Sequence, residues 1–124
     1  MIDHVSIAVR DLTAATAFYD AVLRTLGMTQ LETRPATVGF GNTYAEFWLN
    51  VRKDMIAPGS GAHICLRART TGMIDAFHAA ALAAGGESDG APGLRLLHGE
   101  GYYAAFIRDL DGNRIEAVTF VKDK

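Results

Sequence analysis

The chain has 124 residues, is 49% hydrophobic and carries a formal net charge of -2. That length accommodates one compact unit, and the composition is that of an ordinary globular protein. The absence of a Lys/Arg-rich run argues against nucleic acid as a partner, and a single cysteine, Cys65, excludes an internal disulfide framework or a CxxC metal knuckle. There is no long apolar run or signal-type N-terminus, so a cytoplasmic location with no membrane association is expected.

Residues 2–9 alternate, with Val5, Ile7 and Val9 on one side and His4, Ser6 and Ala8 on the other, which predicts a strand. A helix follows, opened by Thr13 as N-cap and closed by Gly27, with Ala14, Ala17, Phe18, Ala21, Val22 and Leu26 at helical spacing. Three strands are expected near 28–33, 36–41 and 44–51, and 52–61, with Pro58, Gly59 and Gly61, reads as a linker. The order then repeats. A strand is expected at 62–68 and a helix near 71–84, with Ile74, Phe77, Ala81 and Leu82 inward. A weak strand at 86–89, a loop at 90–100, and strands at 102–108 and 114–121 complete the pattern. The last two strands are joined by the tight-turn sequence Asp109–Asn113.

Laid along itself, the sequence places Asp3–Ile7 on Ala62–Leu66, Phe18 on Phe77 and Gly27 on Gly86. A second displacement places Ala45–Trp48 on Ile115–Val118. The chain therefore reads as one domain over 1–124, built from two β-α-β-β-β modules, about 1–58 and 59–124. Each module has one His on its first strand and one Glu on its last. His4, His63, Glu46 and Glu116 form a candidate set for one divalent metal, and imidazole with carboxylate suits Zn, Ni, Co, Mn or Fe(II). Without Glu46, the remaining three would be the two-His-one-carboxylate triad of non-haem iron oxygenases.

Around this set, Trp48, Arg67, His98 and Tyr103 are expected to line a substrate pocket, with Tyr44 and Phe47 as further apolar wall. Tyr102 is an alternative to Tyr103 as an acid–base group. Cys65 shares the parity of His63 and is read as a small hydrophobe, and His78 as a surface residue.

Two segments resemble a known family. Asp3-His4-Val5-Ser6-Ile7-Ala8-Val9-Arg10-Asp11-Leu12 with Phe18-Tyr19-Asp20 resembles the opening of the vicinal-oxygen-chelate superfamily. Tyr103 to Glu116 resembles its closing hairpin, with Leu110 where Pro is usual. The superfamily includes glyoxalase I, extradiol dioxygenases and the fosfomycin- and bleomycin-resistance proteins, and this chain looks closest to small bacterial glyoxalase-related members.

The resemblance implies an α+β fold with paired modules forming a half-open mixed barrel. It also implies a homodimer, with modules paired within a chain or exchanged between chains, and a small-molecule substrate bound through adjacent oxygens. The glyoxalase branch implies four ligands, matching His4, Glu46, His63 and Glu116, with Glu116 or Glu46 also acting as base. The dioxygenase and fosfomycin branches imply three, matching His4, His63 and Glu116. The bleomycin-binding branch implies none. The expected function is a glyoxalase-type lyase or isomerase, with an Fe(II) dioxygenase or a metal-free binding protein as alternatives.

Overall fold

The computed structural model describes residues 1–122; positions 123 and 124 of the second module lie outside the described residues. The first module comprises β1 (Val5–Val9), α1 (Leu12–Arg24), β2 (Thr29–Thr33), β3 (Thr37–Gly41) and β4 (Phe47–Val51). The second comprises β5 (Ile64–Arg67), α2 (Thr71–Ala83), β6 (Glu87–Leu94), a 3-10 turn at Leu96–His98, β7 (Tyr102–Arg108) and β8 (Arg114–Phe120). Their sheets run β1-β4-β3-β2 and β5-β8-β7-β6. In each, the first strand is parallel to the last and the remaining pairs are antiparallel. This is an α+β fold of two β-α-β-β-β modules, and the two sheets leave the barrel half-open.

The strands are amphipathic as their alternation requires. Ile7, Val9, Phe47 and Leu49 in one sheet, and Ala105, Ile107, Ile115 and Ala117 in the other, turn to the helices and join one core that runs through both modules. The opposite faces carry polar and small residues together with Trp48 in the first sheet and Tyr102, Phe106 and Phe120 in the second. The helices meet each other as well as their sheets. Among the described residues, no helix is long and apolar enough to cross a membrane.

Several local expectations are corrected. The N-cap of α1 is Asp11, not Thr13, because its carboxylate accepts from the backbone N–H of Ala14. The buried stripe of α1 is Ala15, Phe18, Tyr19, Val22 and Leu23, rotated by one position from the expected one. Leu82 is exposed, at the end of α2. The stretch 90–94 is not loop: β6 continues through it as a bulged edge strand, with shifts in register at Ser88/Gly90 and Gly90/Gly93. Bulges and an edge position accommodate Gly and Pro92.

The β7–β8 turn, expected only to reverse the chain, also fastens one module to the other. Asp109 accepts from the Tyr19 hydroxyl at 2.5 Å, from the backbone N–H groups of Asp111 and Asn113, and from Asn113 Nδ2. Asn113 Nδ2 also donates to Ala8 O, and Asp111 accepts from the backbone N–H and Nη1 of Arg10. Gly112 has φ +85°, which the turn needs and which favours glycine. Burial, and then Asp109, hold the Tyr19 phenol well above its ordinary pKa, so it remains a donor.

Candidate metal centre and its surroundings

The ladder registers decide which residues are true counterparts. Val5 pairs with Phe47, and its repeat partner Ile64 pairs with Ile115. Ser6 accordingly faces Trp48 where Cys65 faces Glu116. Trp48, rather than Glu46, holds the position equivalent to Glu116. Glu46 lies one residue before β4, where its carbonyl accepts from Val5 N and its N–H donates to Phe40 O.

His63 and Glu116 meet. His63 Nε2 lies 2.9 Å from Glu116 Oε1, and the Tyr102 hydroxyl donates to Oε2. Glu116 is only 3% exposed, whereas the His63 side chain is 47% exposed toward the cleft. An ionised carboxylate buried this deeply is stable only when paired and hydrogen-bonded. Bonds of about 2.0–2.2 Å from imidazole and carboxylate to one first-row cation place neighbouring donors roughly 3 Å apart, the separation observed. The pair therefore fits two positions of a divalent cation.

The other two expected ligands stand apart from it. His4 precedes β1, and its Nδ1 lies 2.7 Å from the exposed Asp3 carboxylate. Glu46 is exposed. His4, Glu46 and His63 border one cleft of about 590 Å³, together with Cys65 and Arg67. Among the described residues, no three His, Cys, Asp or Glu side chains converge closely enough to hold a metal.

The open face around Glu116 is aromatic and cationic. Tyr102 lies edge-on to Phe120, with centroids 5.4 Å apart, and 5.2 Å from the His98 ring. The Arg67 guanidinium covers the other side of this stack, 4.6 Å above Phe120. Burial first, and then the hydrogen bond to Glu116, raise the Tyr102 pKa. Burial and the Glu116 charge push the Cys65 thiol up to about 12. Cys65 is thus a neutral neighbour of the carboxylate.

Tyr103, expected in the pocket, is on the helix side. Its hydroxyl donates to Asp75 of α2 at 2.6 Å. Tyr102 takes the place expected of it, and counting alternate residues back from Phe106, which faces Glu116, identifies it. His78 is half-buried and its Nε2 lies 2.8 Å from Ser88 Oγ; burial lowers its pKa.

In the first module, Trp48 lines a groove of about 420 Å³ with His4, Ser6, Arg34, Thr37 and Asn50. The Arg34 guanidinium lies 5.0 Å from the indole centroid. Gly39 makes room for the ring, since a Cβ there would stand 3.0 Å from two indole atoms and 2.8 Å from Ala45 Cβ.

No curated protein matches this sequence. Among solved structures, a glyoxalase/bleomycin resistance protein from Albidiferax ferrireducens T118 is 32% identical with a TM-score of 0.84, over 95% of this chain and 97% of that one. A glyoxalase/bleomycin resistance protein/dioxygenase family enzyme from Burkholderia phytofirmans PsJN has 22% identity and a TM-score of 0.75, over 96% and 98%. A single-residue mutant of the fosfomycin resistance protein FosX from Listeria monocytogenes, in a complex with Mn(II) and 1S,2S-dihydroxypropylphosphonic acid, has 17% identity and a TM-score of 0.73, over 98% and 90%. The last two likenesses are of fold. Residues 1–117 match the family described as the Glyoxalase/Bleomycin resistance protein/Dioxygenase superfamily, and with its paired modules the chain belongs to that superfamily.

Proposed function

We propose that this protein is a divalent-metal-dependent lyase or isomerase of glyoxalase type, acting on a small molecule with two adjacent oxygens. The observation that carries the reading is the buried Glu116 carboxylate held 2.9 Å from His63 Nε2 on the cleft side of the sheet. His63 and Glu116 would hold the cation, with His4 and Glu46 as the remaining donors. Because His4 and Glu46 do not converge on that pair within one chain, the proposal takes them from a second copy, so that the working unit is a homodimer.

When bound, the cation supplies Lewis-acid polarisation of a substrate carbonyl. Tyr102 and His63 fix the two Glu116 oxygens, which leaves that carboxylate little freedom. Glu46 is exposed and free to move, so it is the better base to take a proton beside the carbonyl. Arg67 lines the cleft from the second module, and His98 lies beside Tyr102. The candidate metals are Zn, Ni, Co, Mn and Fe(II), all of which imidazole with carboxylate suits; the FosX complex with Mn(II) supports keeping Mn among them.

The test is metal content. Wild-type protein should hold near-stoichiometric metal, and His4→Ala and Glu116→Ala should each lose it. Co-expressed, the two variants should regain about a quarter of a complement, because random pairing makes about half of the dimers mixed and one of the two sites in each mixed dimer is then intact. Full metal in both single variants would sink the ligand assignment. Loss in both without recovery in the mixture would place all ligands within one chain.

A second reading has its own observation. The Trp48 groove offers an indole face beside the Arg34 guanidinium. A metal-independent binding protein for planar ligands would use it, and binding unaffected by chelator, without turnover, would favour that reading.

A further inference from the structure

Neither the fold nor the proposed cation requires the row of guanidinium groups on the open face of the second module. Arg108 and Arg114 are direct cross-strand partners in β7 and β8. Like charges so placed oppose pairing. A single carboxylate lies between them: Asp89, from the first bulge of β6, is 3.3 Å from Arg108 Nη2 and 2.9 Å from Arg114 Nη1. The Nε of each arginine is buried with no hydrogen-bond partner. A buried donor left unpaired is costly, and such groups need a reason.

A third guanidinium, Arg95, lies 5.5 Å from the ring of Phe106, and Phe106 faces Glu116 across the ladder. Arg95 makes no ion pair among the described residues. Asp89 thus pairs with two of the three guanidiniums, and among the described residues the third, Arg95, donates only to the Ala91 carbonyl, in a chain whose formal net charge is -2.

We propose that this row binds the oxyanion end of the substrate, a carboxylate or phosphate group, while its vicinal oxygens lie at the His63–Glu116 pair. The choice of reacting centre rests on the reading above; the anion site does not. A guanidinium presents a planar fork of donors that matches either oxyanion. Arg114 and Glu116 are alternate residues on one face of β8, about 7 Å apart along the strand. A molecule only a few bonds long spans that distance. Asp89 occupies the row when no anion is present, and therefore competes with one.

Calorimetric titration of chelator-treated protein with inorganic phosphate and with malonate tests the anion site without any contribution from metal. Wild type should bind at least one of them saturably. Arg114→Gln should weaken binding about tenfold, and Asp89→Asn, which frees the row, should strengthen it severalfold. The arginine Nε–H resonances should shift during the titration. Arg114→Lys keeps the charge without the fork and should fall between wild type and Arg114→Gln. Should Arg114→Gln not fold, Arg95→Gln and Asp89→Asn carry the test in opposite directions. No saturable binding, or equal affinity in the variants and wild type, overturns the inference. Metal retained without anion binding sinks this inference alone. Anion binding without metal sinks only the metal reading.

Discussion

Ser6 faces Trp48 across β1 and β4, and at the equivalent place in the second module Cys65 faces Glu116. Helices, strand order and strand directions are the same around both pairs. One face carries an indole under a guanidinium, with Gly39 opened to admit it. The other carries a buried carboxylate with an imidazole and a phenol on its two oxygens. A duplicated frame fixes where a side chain is presented but leaves its chemistry free. Here the position opposite the first strand holds an indole in one half and a carboxylate in the other.

The largest effect expected from breaking this contrast is on metal. Glu116→Gln keeps the shape and removes the charge, and should abolish metal retention measured by elemental analysis. Trp48→Ala should leave metal content unchanged and weaken the binding of planar ligands. Chelation should then lower the stability of wild type but not of Glu116→Gln, by about 2.7 kcal/mol where free metal had stood at a hundred times its Kd, seen as a lower melting temperature. If Glu116→Gln retains metal while Trp48→Ala loses it, the two faces have been assigned in reverse.

Next comes the link that joins the halves. Tyr19→Phe removes the donor to the buried Asp109 and should cost about 1–3 kcal/mol, seen as a lower denaturant midpoint. Its pH dependence is also distinctive. The Tyr19 pKa is raised in the folded protein, so the folded state holds its proton more tightly than the unfolded chain does. That contribution is complete below the ordinary tyrosine value and is lost as pH rises from there through the folded value. Wild type should therefore lose more stability on alkalinisation above about pH 10 than Tyr19→Phe does. Parallel pH profiles would show that the phenol is not the link.

Much of this architecture is written in local pattern, and the errors have identifiable causes. Alternation in β1 and β8 reveals which side is buried, because a strand's period is short and its apolar set unambiguous. In α1, alanines at positions 14, 15, 17 and 21 are compatible with either of two adjacent stripes, and Tyr19 looks polar until its partner is known. That partner, Asp109, lies ninety residues away along the chain, and no local pattern reports such a contact. β6 is hidden by Gly90, Pro92 and Gly93, which bulges on an edge strand tolerate. That His63 and Glu116 share a face was legible from strand parity, and the structure brings them together. The equivalence of the donors was not: matching Glu46 to Glu116 by type overrides the ladder, which pairs Trp48 with that position.

An intermediate effect comes from Gly39. Alanine there would press on the indole and on Ala45 Cβ, so Gly39→Ala should cost about 1–3 kcal/mol by overpacking and change Trp48 fluorescence, with metal content untouched. An unchanged spectrum would mean that the ring does not rest against β3.

The smallest effect separates two adjacent phenols. Tyr103 bonds an exposed carboxylate on α2, where water replaces a lost partner readily, so Tyr103→Phe should change stability by less than about 0.5 kcal/mol and leave metal affinity alone. Tyr102→Phe instead frees Glu116 Oε2, an oxygen in a buried site where water is a poorer substitute. It should shift metal affinity, and with cobalt bound it should alter the visible spectrum, because the carboxylate can then turn. Strand parity alone sends one hydroxyl to the helix and its neighbour to the Glu116 carboxylate. Equal effects from the two substitutions would mean that this division does not hold in solution.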